Sequence, residues 1–173
     1  IFNEYHFFSV IHTATVYSVN NNGISYLRNT NIEMPIKLMK LSCKYGVKLF
    51  INTDTFTSYS KLPYDYLTDY HNSKKECLNG LLEINNRYET KLVNMIIFHM
   101  FGKNDGKHKF VTRIIDDLKN NRFIKLTKGI QKRDFIHVQD VANAYCCILK
   151  NFNRLKFKFQ SFEVGSGNSI SIK

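Results

Sequence analysis

No glycine fingerprint of the form Gly-x-x-Gly-x-x-Gly or Gly-x-Gly-x-x-Gly occurs among the 8 glycines of this 173-residue chain. Such a turn offers backbone N–H groups and a helix N-terminus to a pyrophosphate, so these residues contain no cradle of that kind. No run of eighteen apolar residues exists either, which excludes a membrane-spanning helix. The opening Ile-Phe-Asn-Glu-Tyr-His lacks the basic, apolar and small-residue regions of a secretion signal. It also lacks an initiator Met, as a piece of a longer chain would. Cys-x-x-Cys is absent: the 4 cysteines are Cys43, Cys77 and the neighbours Cys146 and Cys147. Cys43, Cys77 and Cys146 fall on expected apolar helix faces, which reads as buried free thiols in a reducing cytoplasm, with no metal site and no disulfide framework. Acidic residues are scarce, 14 against 25 Lys and Arg, leaving a net charge of +11. A basic surface suits nucleic acid or an anionic substrate. Here the charges are dispersed and no aromatic-interleaved basic motif accompanies them, so the favoured reading is a solvated surface whose field attracts a pyrophosphate, without nucleic acid as a partner.

What is present is organised around residues 50–74. Val47-Lys-Leu-Phe-Ile-Asn52 reads as a buried strand that opens into Thr53-Asp54-Thr55-Phe56, and Tyr70-His-Asn-Ser-Lys74 follows. On a helix, Tyr70 and Lys74 share one face. A phenol beside an ammonium is a general acid/base, because the cation stabilises the phenolate and lowers a pKa that starts near ~10. Thr53, at the end of the neighbouring strand, can hydrogen-bond the same substrate oxygen. The competing reading is a cation resting on a helix-face tyrosine. Of the 10 tyrosines, only Tyr70 has Lys four residues on.

The runs Phe50-Ile-Asn-Thr-Asp-Thr-Phe56, Tyr70-His-Asn-Ser-Lys74 and Arg133-Asp-Phe-Ile-His-Val-Gln-Asp-Val-Ala142 resemble the extended short-chain dehydrogenase/reductases. More narrowly, they resemble the NAD(P)-dependent epimerase/dehydratase group that acts on nucleotide sugars. Val10-Ile-His-Thr-Ala-Thr-Val-Tyr17, Asn94-Met95 and His99-Met-Phe-Gly-Lys-Asn-Asp-Gly106 point to its ketoreductase branch. The resemblance implies an α/β fold with a partial Rossmann-like, doubly wound parallel sheet. It covers the second half of that fold, without the first strands and their glycine fingerprint. Residues 1–173 are then one NAD(P)-binding domain, a fragment, with 123–173 contributing to the substrate-binding region.

The same resemblance implies roles for particular residues. Thr53, Tyr70 and Lys74 are catalytic, and Ala14, Asn31, Tyr70 and Lys74 contact NAD or NADP. Asp54, His99 and Arg133 contact a nucleotide-sugar substrate, Arg133 gripping its pyrophosphate with a planar five-donor fork. On residues alone, Asn31 reads equally well as a helix cap, His99 as a structural histidine and Arg133 as a partner of Asp134. Relatives commonly carry Arg where this chain has Ile96 and Asn where it has His99. Dehydratases of the group read Thr-Asp-Glu where this chain reads Thr53-Asp54-Thr55. Loss of that Glu favours reduction of a 4-keto-deoxyhexose, or epimerisation at C4, over water elimination. A chain opening at what resembles the fourth strand would leave that strand's edge unpaired. The expected alternatives are therefore an inactive fragment, a catalytically silent binding or scaffold protein, or completion by another chain. A full-length enzyme of this kind is expected to be cytoplasmic and to form a homodimer.

Periodicity supplies the remaining elements. A short buried strand is expected at 7–12 and a polar loop over 18–30. A helix follows from about Glu33, with Pro35 in its first turn, an apolar side of Leu38, Met39, Leu41 and Tyr45, and Gly46 as terminator. Residues 57–69 read as a loop and the Tyr70 helix runs to about Glu89, burying Cys77, Leu81, Ile84 and Tyr88. A strand spans 91–98 and an amphipathic helix carries Val111, Ile114, Ile115 and Leu118. Short strands follow at 123–126 and 135–138. Asp140 then caps a helix whose core face is Val141, Ala144, Tyr145, Ile148 and Leu149.

Overall fold

The structure is a computed structural model that describes residues 1–17, 23–59, 67–107 and 109–172. Its first elements are β1 (Ser9–His12), α1 (Gly23–Arg28), α2 (Met34–Lys44), β2 (Leu49–Thr55) and α3 (Thr68–Asn85). They continue with β3 (Lys91–Ile97), β4 (His99–Phe101), α4 (Phe110–Lys119), β5 (Lys132–His137), α5 (Val138–Lys150), β6 (Phe159–Val164) and β7 (Ser169–Ser171). The chain divides into two compact units, 1–96 with 152–163 and 97–151 with 164–173.

In the first unit the strands lie in the order β1-β2-β3-β6. β1 and β2 are parallel, with Val10 opposite Phe50 and His12 opposite Asn52. Lys91 N–H donates to Lys48 O, and Leu92 N–H donates to Lys158 O. This is the α/β parallel sheet expected from the sequence, and β1 is its edge strand. Phe50, Met39, Cys77, Leu81, Ile84 and Leu92 form its apolar core, with Val10 and Ile36 packed against them. Burying each large side chain of that set contributes about 1.5–3 kcal/mol. Helices α2 and α3 meet closely at Gly80, where a Cβ would lie 2.5 Å from Ile36 Cδ1. Tyr88 is not part of that stripe, because α3 stops at Asn85. There the Asn85 amide donates to Thr90 O and Thr90 Oγ1 donates to Val47 O, turning the chain into β3.

The expected loop over 18–30 is corrected in part. Residues 18–22 lie outside the described residues, but 23–28 are helical and 29–33 form a π-helical turn. Leu27 and Ile32 anchor this stretch in the core, outweighing the polar composition that suggested a loop. Within α2 the expected details hold: Pro35 sits in the first turn and Gly46 has φ +71°. Leu41, however, is exposed.

In the second unit β4 and β5 are parallel and β5 and β7 antiparallel. The strand expected at 123–126 does not form: these residues have no regular structure and Phe123 is 91% exposed. Strand propensity counts only where a neighbour accepts the ladder. Helix α4 is amphipathic as expected, yet no residue of it is buried and Leu118 is 62% exposed. Helix α5 is capped by His137, whose Nδ1 accepts from Gln139 N–H, which places Asp140 in the first turn rather than at the cap. Its more buried side carries Val141 and Tyr145, whereas Cys146 is exposed, against the expectation of a buried thiol. Cys43, Cys77, Cys146 and Cys147 are all free thiols. No helix among the described residues is long and apolar enough to cross a membrane.

Candidate active site

Side chains alternate faces along a strand, so residues two apart share a face. On the face that holds the core, β1, β2 and β3 present Val10, Phe50 and Leu92, and two residues further on His12, Asn52 and Asn94. At that step the hydrocarbon layer gives way to a buried polar row. The His12 ring lies 3.4 Å from Asn52 Oδ1. Asn52 Nδ2 donates to Asn94 Oδ1 at 2.7 Å, and Asn94 Nδ2 donates to Asp54 Oδ2 at 3.1 Å. Tyr59 Oη donates to the same carboxylate oxygen, while Thr55 N–H donates to the other. Asp54, expected to meet substrate, is thus buried and held by three donors from its own chain, directly after Thr53.

Helix α3 lays Tyr70 and Lys74 over this edge, each 4% exposed. Lys74 Nζ donates to Thr53 O at 2.9 Å and lies 5.8 Å from the centroid of the Tyr70 ring. Thr53 is half-buried. The three expected catalytic residues therefore come together, and Lys74 is tied to the Thr53 backbone rather than lying on a surface tyrosine. One expectation is corrected. The phenol is not drawn down by the lysine: its pKa is raised, chiefly by burial, then by Tyr17 and Asp54. Burial also lowers the pKa of Lys74, against the opposing pull of Asp54. In an apolar surrounding the charged form of each group is disfavoured, and for both groups that effect is the largest.

Asn31 is buried in the π-helical turn and caps no helix N-terminus, so the capping alternative is set aside. Its Oδ1 accepts from Val16 N–H at 2.8 Å and Thr15 Oγ1 at 3.3 Å. Its Nδ2 donates to Val16 O at 2.8 Å and Ser73 Oγ at 3.0 Å, and Ser73 Oγ donates to Tyr70 O at 2.7 Å. Two donated and two accepted bonds fill an amide's capacity. Asn31 acts by fixing the segment after β1 against the turn of α3 that carries Tyr70. Ala14 lies in that segment and is exposed at the carboxyl end of β1.

His12 and Asn52 were missed as site residues. Their signal was available: a polar residue two positions beyond an apolar one on each of three otherwise apolar strands. His12 is held neutral, its pKa lowered to about 4 by burial and by the Lys74 cation. Its Nε2 is buried without a hydrogen-bond partner.

The second unit holds His99 and Arg133. His99 is half-buried, its pKa lowered to about 4 by burial and by the Arg133 cation. Arg133 does not take up Asp134, because neighbours on a strand face opposite sides. Instead the Asp134 carboxylate accepts from Ser166 N–H, Ser166 Oγ and Gly167 N–H at 2.7, 2.7 and 3.0 Å. Burial alone would raise the pKa of Asp134, but these bonds outweigh it and the net shift is downward. Gly165 is required there, since a Cβ would sit 2.6 Å from Asp134 Oδ2. Arg133 is half-buried and its Nη1 donates to Lys132 O at 3.3 Å.

Comparison with known proteins agrees with this geometry. CDP-abequose synthase of Salmonella typhimurium strain LT2 is 34% identical over 165 residues, which cover 95% of this chain and 55% of that protein. CDP-abequose synthase of Salmonella muenchen is 33% identical over 167 residues, covering 95% and 56%. The chain therefore spans about half the length of these relatives. Among solved structures, a UDP-N-acetylglucosamine 4-epimerase from Methanobrevibacter ruminantium M1, in complex with UDP-N-acetylmuramic acid, has a TM-score of 0.80 at 21% identity. The match covers 95% of this chain and 56% of that one, a likeness of fold. With residues 1–165 also matching the family as a whole, the chain belongs to the NAD dependent epimerase/dehydratase family.

Proposed function

We propose that this chain carries the proton-transfer half of an NAD(P)-dependent nucleotide-sugar oxidoreductase. Its reaction is the reduction of a nucleotide-linked 4-keto-deoxyhexose, CDP-linked by analogy with the CDP-abequose synthases, or epimerisation at C4. The observation that supports this most directly is the neutral, buried Tyr70 phenol beside Lys74, whose ammonium is anchored on the Thr53 carbonyl. A neutral phenol is the form that donates a proton, which suits reduction of a ketone.

The residues present fit the nicotinamide-ribose end of NAD or NADP. Lys74 uses one hydrogen on Thr53 and has two more to give, and Ala14 offers no bulk at the sheet edge. The hydride for C4 would come from the reduced cofactor held there. Tyr70 gives its Oη proton to the ketone oxygen, Lys74 stabilises the phenolate that remains, and Thr53 orients that oxygen. Burial raises the Tyr70 pKa in this structure, so the phenolate left after proton transfer depends on the neighbouring Lys74 ammonium for its stabilisation. Asp54 is occupied by Thr55, Tyr59 and Asn94, and Thr55 stands where dehydratases carry Glu. Both points favour reduction or epimerisation over elimination. Residues 123–173 contribute to substrate binding, with Arg133 and His99 contacting the nucleotide diphosphate. The enzyme is cytoplasmic and a homodimer in this reading.

The test is single-turnover hydride transfer in the full-length enzyme. Tyr70→Phe keeps the ring and removes the donor, and should cost about 10²–10⁴-fold in rate with the melting temperature unchanged. Lys74→Met should be at least as damaging. Wild-type turnover with an unaltered pH profile in Tyr70→Phe would overturn the assignment.

A further inference from the structure

The polar row ends on its outer side in Tyr59, whose hydroxyl is bound inward although the residue is 52% exposed. We propose that Tyr59 is a specificity-determining residue: its ring forms an apolar wall beside Thr53 that receives the C6 methyl group of a 6-deoxyhexose and disfavours a hydroxyl at C6. The inference rests on the proposed role of Thr53 and Tyr70 at the C4 oxygen.

Three observations carry it. First, the protein consumes the polar capacity of this corner itself. Tyr59 Oη donates to Asp54 Oδ2 at 2.9 Å and accepts from Asn94 Nδ2 at 3.4 Å. Thr55 N–H donates to Asp54 Oδ1 at 2.7 Å, so both carboxylate oxygens are taken, and Asp54 is 3% exposed. Asn94 Nδ2 donates to Asp54 and Tyr59, and its Oδ1 accepts from Asn52. The Thr55 hydroxyl is turned to that of Thr57, 2.9 Å away. A sugar hydroxyl entering here would give up water without gaining an acceptor, which is the costly way to bury a polar group. Second, Tyr59 is tethered by its polar end, so the part it shows to solvent is ring carbon. Third, the wall stands next to the chemistry. Asp54 follows Thr53 directly, and Thr53 O holds Lys74 Nζ at 2.9 Å. A sugar whose C4 oxygen lies at Thr53 and Tyr70 has C5 and C6 close by. C6 is the carbon that projects from the sugar ring, and without its oxygen it is a methyl group, which gains by leaving water for an apolar face.

Calorimetric titration of the full-length enzyme with CDP-6-deoxyglucose and with CDP-glucose, which differ by one hydroxyl, tests this without turnover. The wild type should bind the deoxysugar about tenfold more tightly. Tyr59→Phe keeps the ring and should leave the deoxysugar affinity nearly unchanged. Tyr59→Ser removes the ring and should weaken deoxysugar binding about tenfold, with CDP-glucose losing less, so that the preference disappears. In the wild-type complex, NMR should show the C6 methyl protons in contact with the Tyr59 ring, whose signals are identified by their change in Tyr59→Phe. Absence of that contact overturns the proposal, whether or not Tyr59→Ser folds. Equal wild-type affinities for the two sugars, or equal losses in Tyr59→Phe and Tyr59→Ser, would also overturn it and leave Tyr59 as a donor that holds Asp54. A wild type that binds neither sugar would instead overturn the nucleotide-sugar reading. Turnover that survives Tyr70→Phe would remove the placement of C4 on which the inference rests.

Discussion

Phe50 and Asn52 are two residues apart on one strand, share a face and are both fully buried, yet they belong to different kinds of interior. Phe50 sits in hydrocarbon with Met39, Leu81 and Leu92. Asn52 sits in a row of polar groups from His12 to Asp54. The apolar row is non-directional and tolerates substitution by side chains of similar volume. The polar row is directional, because every member must meet its partner at hydrogen-bond distance or be left desolvated and unpaired. The first holds the sheet to its helices. The second fixes where the carboxyl ends of the strands lie, and with them the turn that carries Thr53. Stability and positioning are thus separated along the strand by about 7 Å, two residues' rise.

The largest effect expected on this contrast comes from breaking the apolar row. Phe50→Ala should lower the unfolding free energy by about 3–5 kcal/mol, the sum of lost transfer energy and a cavity that α2 and α3 cannot close. Urea unfolding measures it directly. A loss below about 1 kcal/mol would mean that the helices collapse onto the gap, contrary to the close contact at Gly80.

Breaking the polar row should cost less stability and more function. Asn94→Leu leaves the Asn52 amide without its acceptor and removes one of the donors to Asp54. Each stranded group costs about 1–3 kcal/mol, so a total near ~3 kcal/mol is expected. Turnover in the full-length enzyme should fall further than in a surface variant of equal stability, because the Thr53 turn is no longer fixed. If stability falls and turnover per folded molecule does not, the row is a structural feature only.

The same contrast explains what the sequence disclosed. Strand β2, the Tyr70 helix and the turn at Gly46 follow from periodicity and from glycine's tolerance of positive φ, both properties of a few adjacent residues. Tyr70, Lys74 and Thr53 were legible for the same reason, since helical spacing and a strand end place them. The polar row was legible only strand by strand, as a polar residue two positions beyond an apolar one; that the three meet depends on inter-strand register, since His12 faces Asn52 only once β1 and β2 pair as they do. The direction of the Tyr70 shift was also hidden. A sequence names the cation beside the phenol but not how far both are buried. In the second unit the misses have another cause. Phe123-Ile-Lys-Leu126 carries strand-forming residues, and α4 an apolar side, but neither finds cover among the described residues, and a local pattern cannot report that.

The smallest expected effect is a pH dependence set by His12. Its pKa is lowered from 6.5 to about 4, by burial and then by the Lys74 cation, with the Asn52 bond opposing. Above pH 6.5 the ring is neutral whether the chain is folded or not, and its contribution to stability is fully present. As pH falls, the unfolded chain binds a proton there that the folded chain refuses, so stability declines, and the loss levels off below about pH 4. Integrated from pH 7 to pH 5, the effect is about 2 kcal/mol. His99, also lowered to about 4, contributes in the same direction, so the wild-type slope alone does not isolate His12. The measurement is therefore the difference between wild type and His12→Gln in unfolding free energy at pH 7 and pH 5. Glutamine keeps an N–H to offer Asn52 and cannot titrate. The wild type should lose about 2 kcal/mol more than the variant over that interval. Parallel pH dependences would show that His12 is protonated in the folded chain, and the neutral end of the polar row would have to be abandoned.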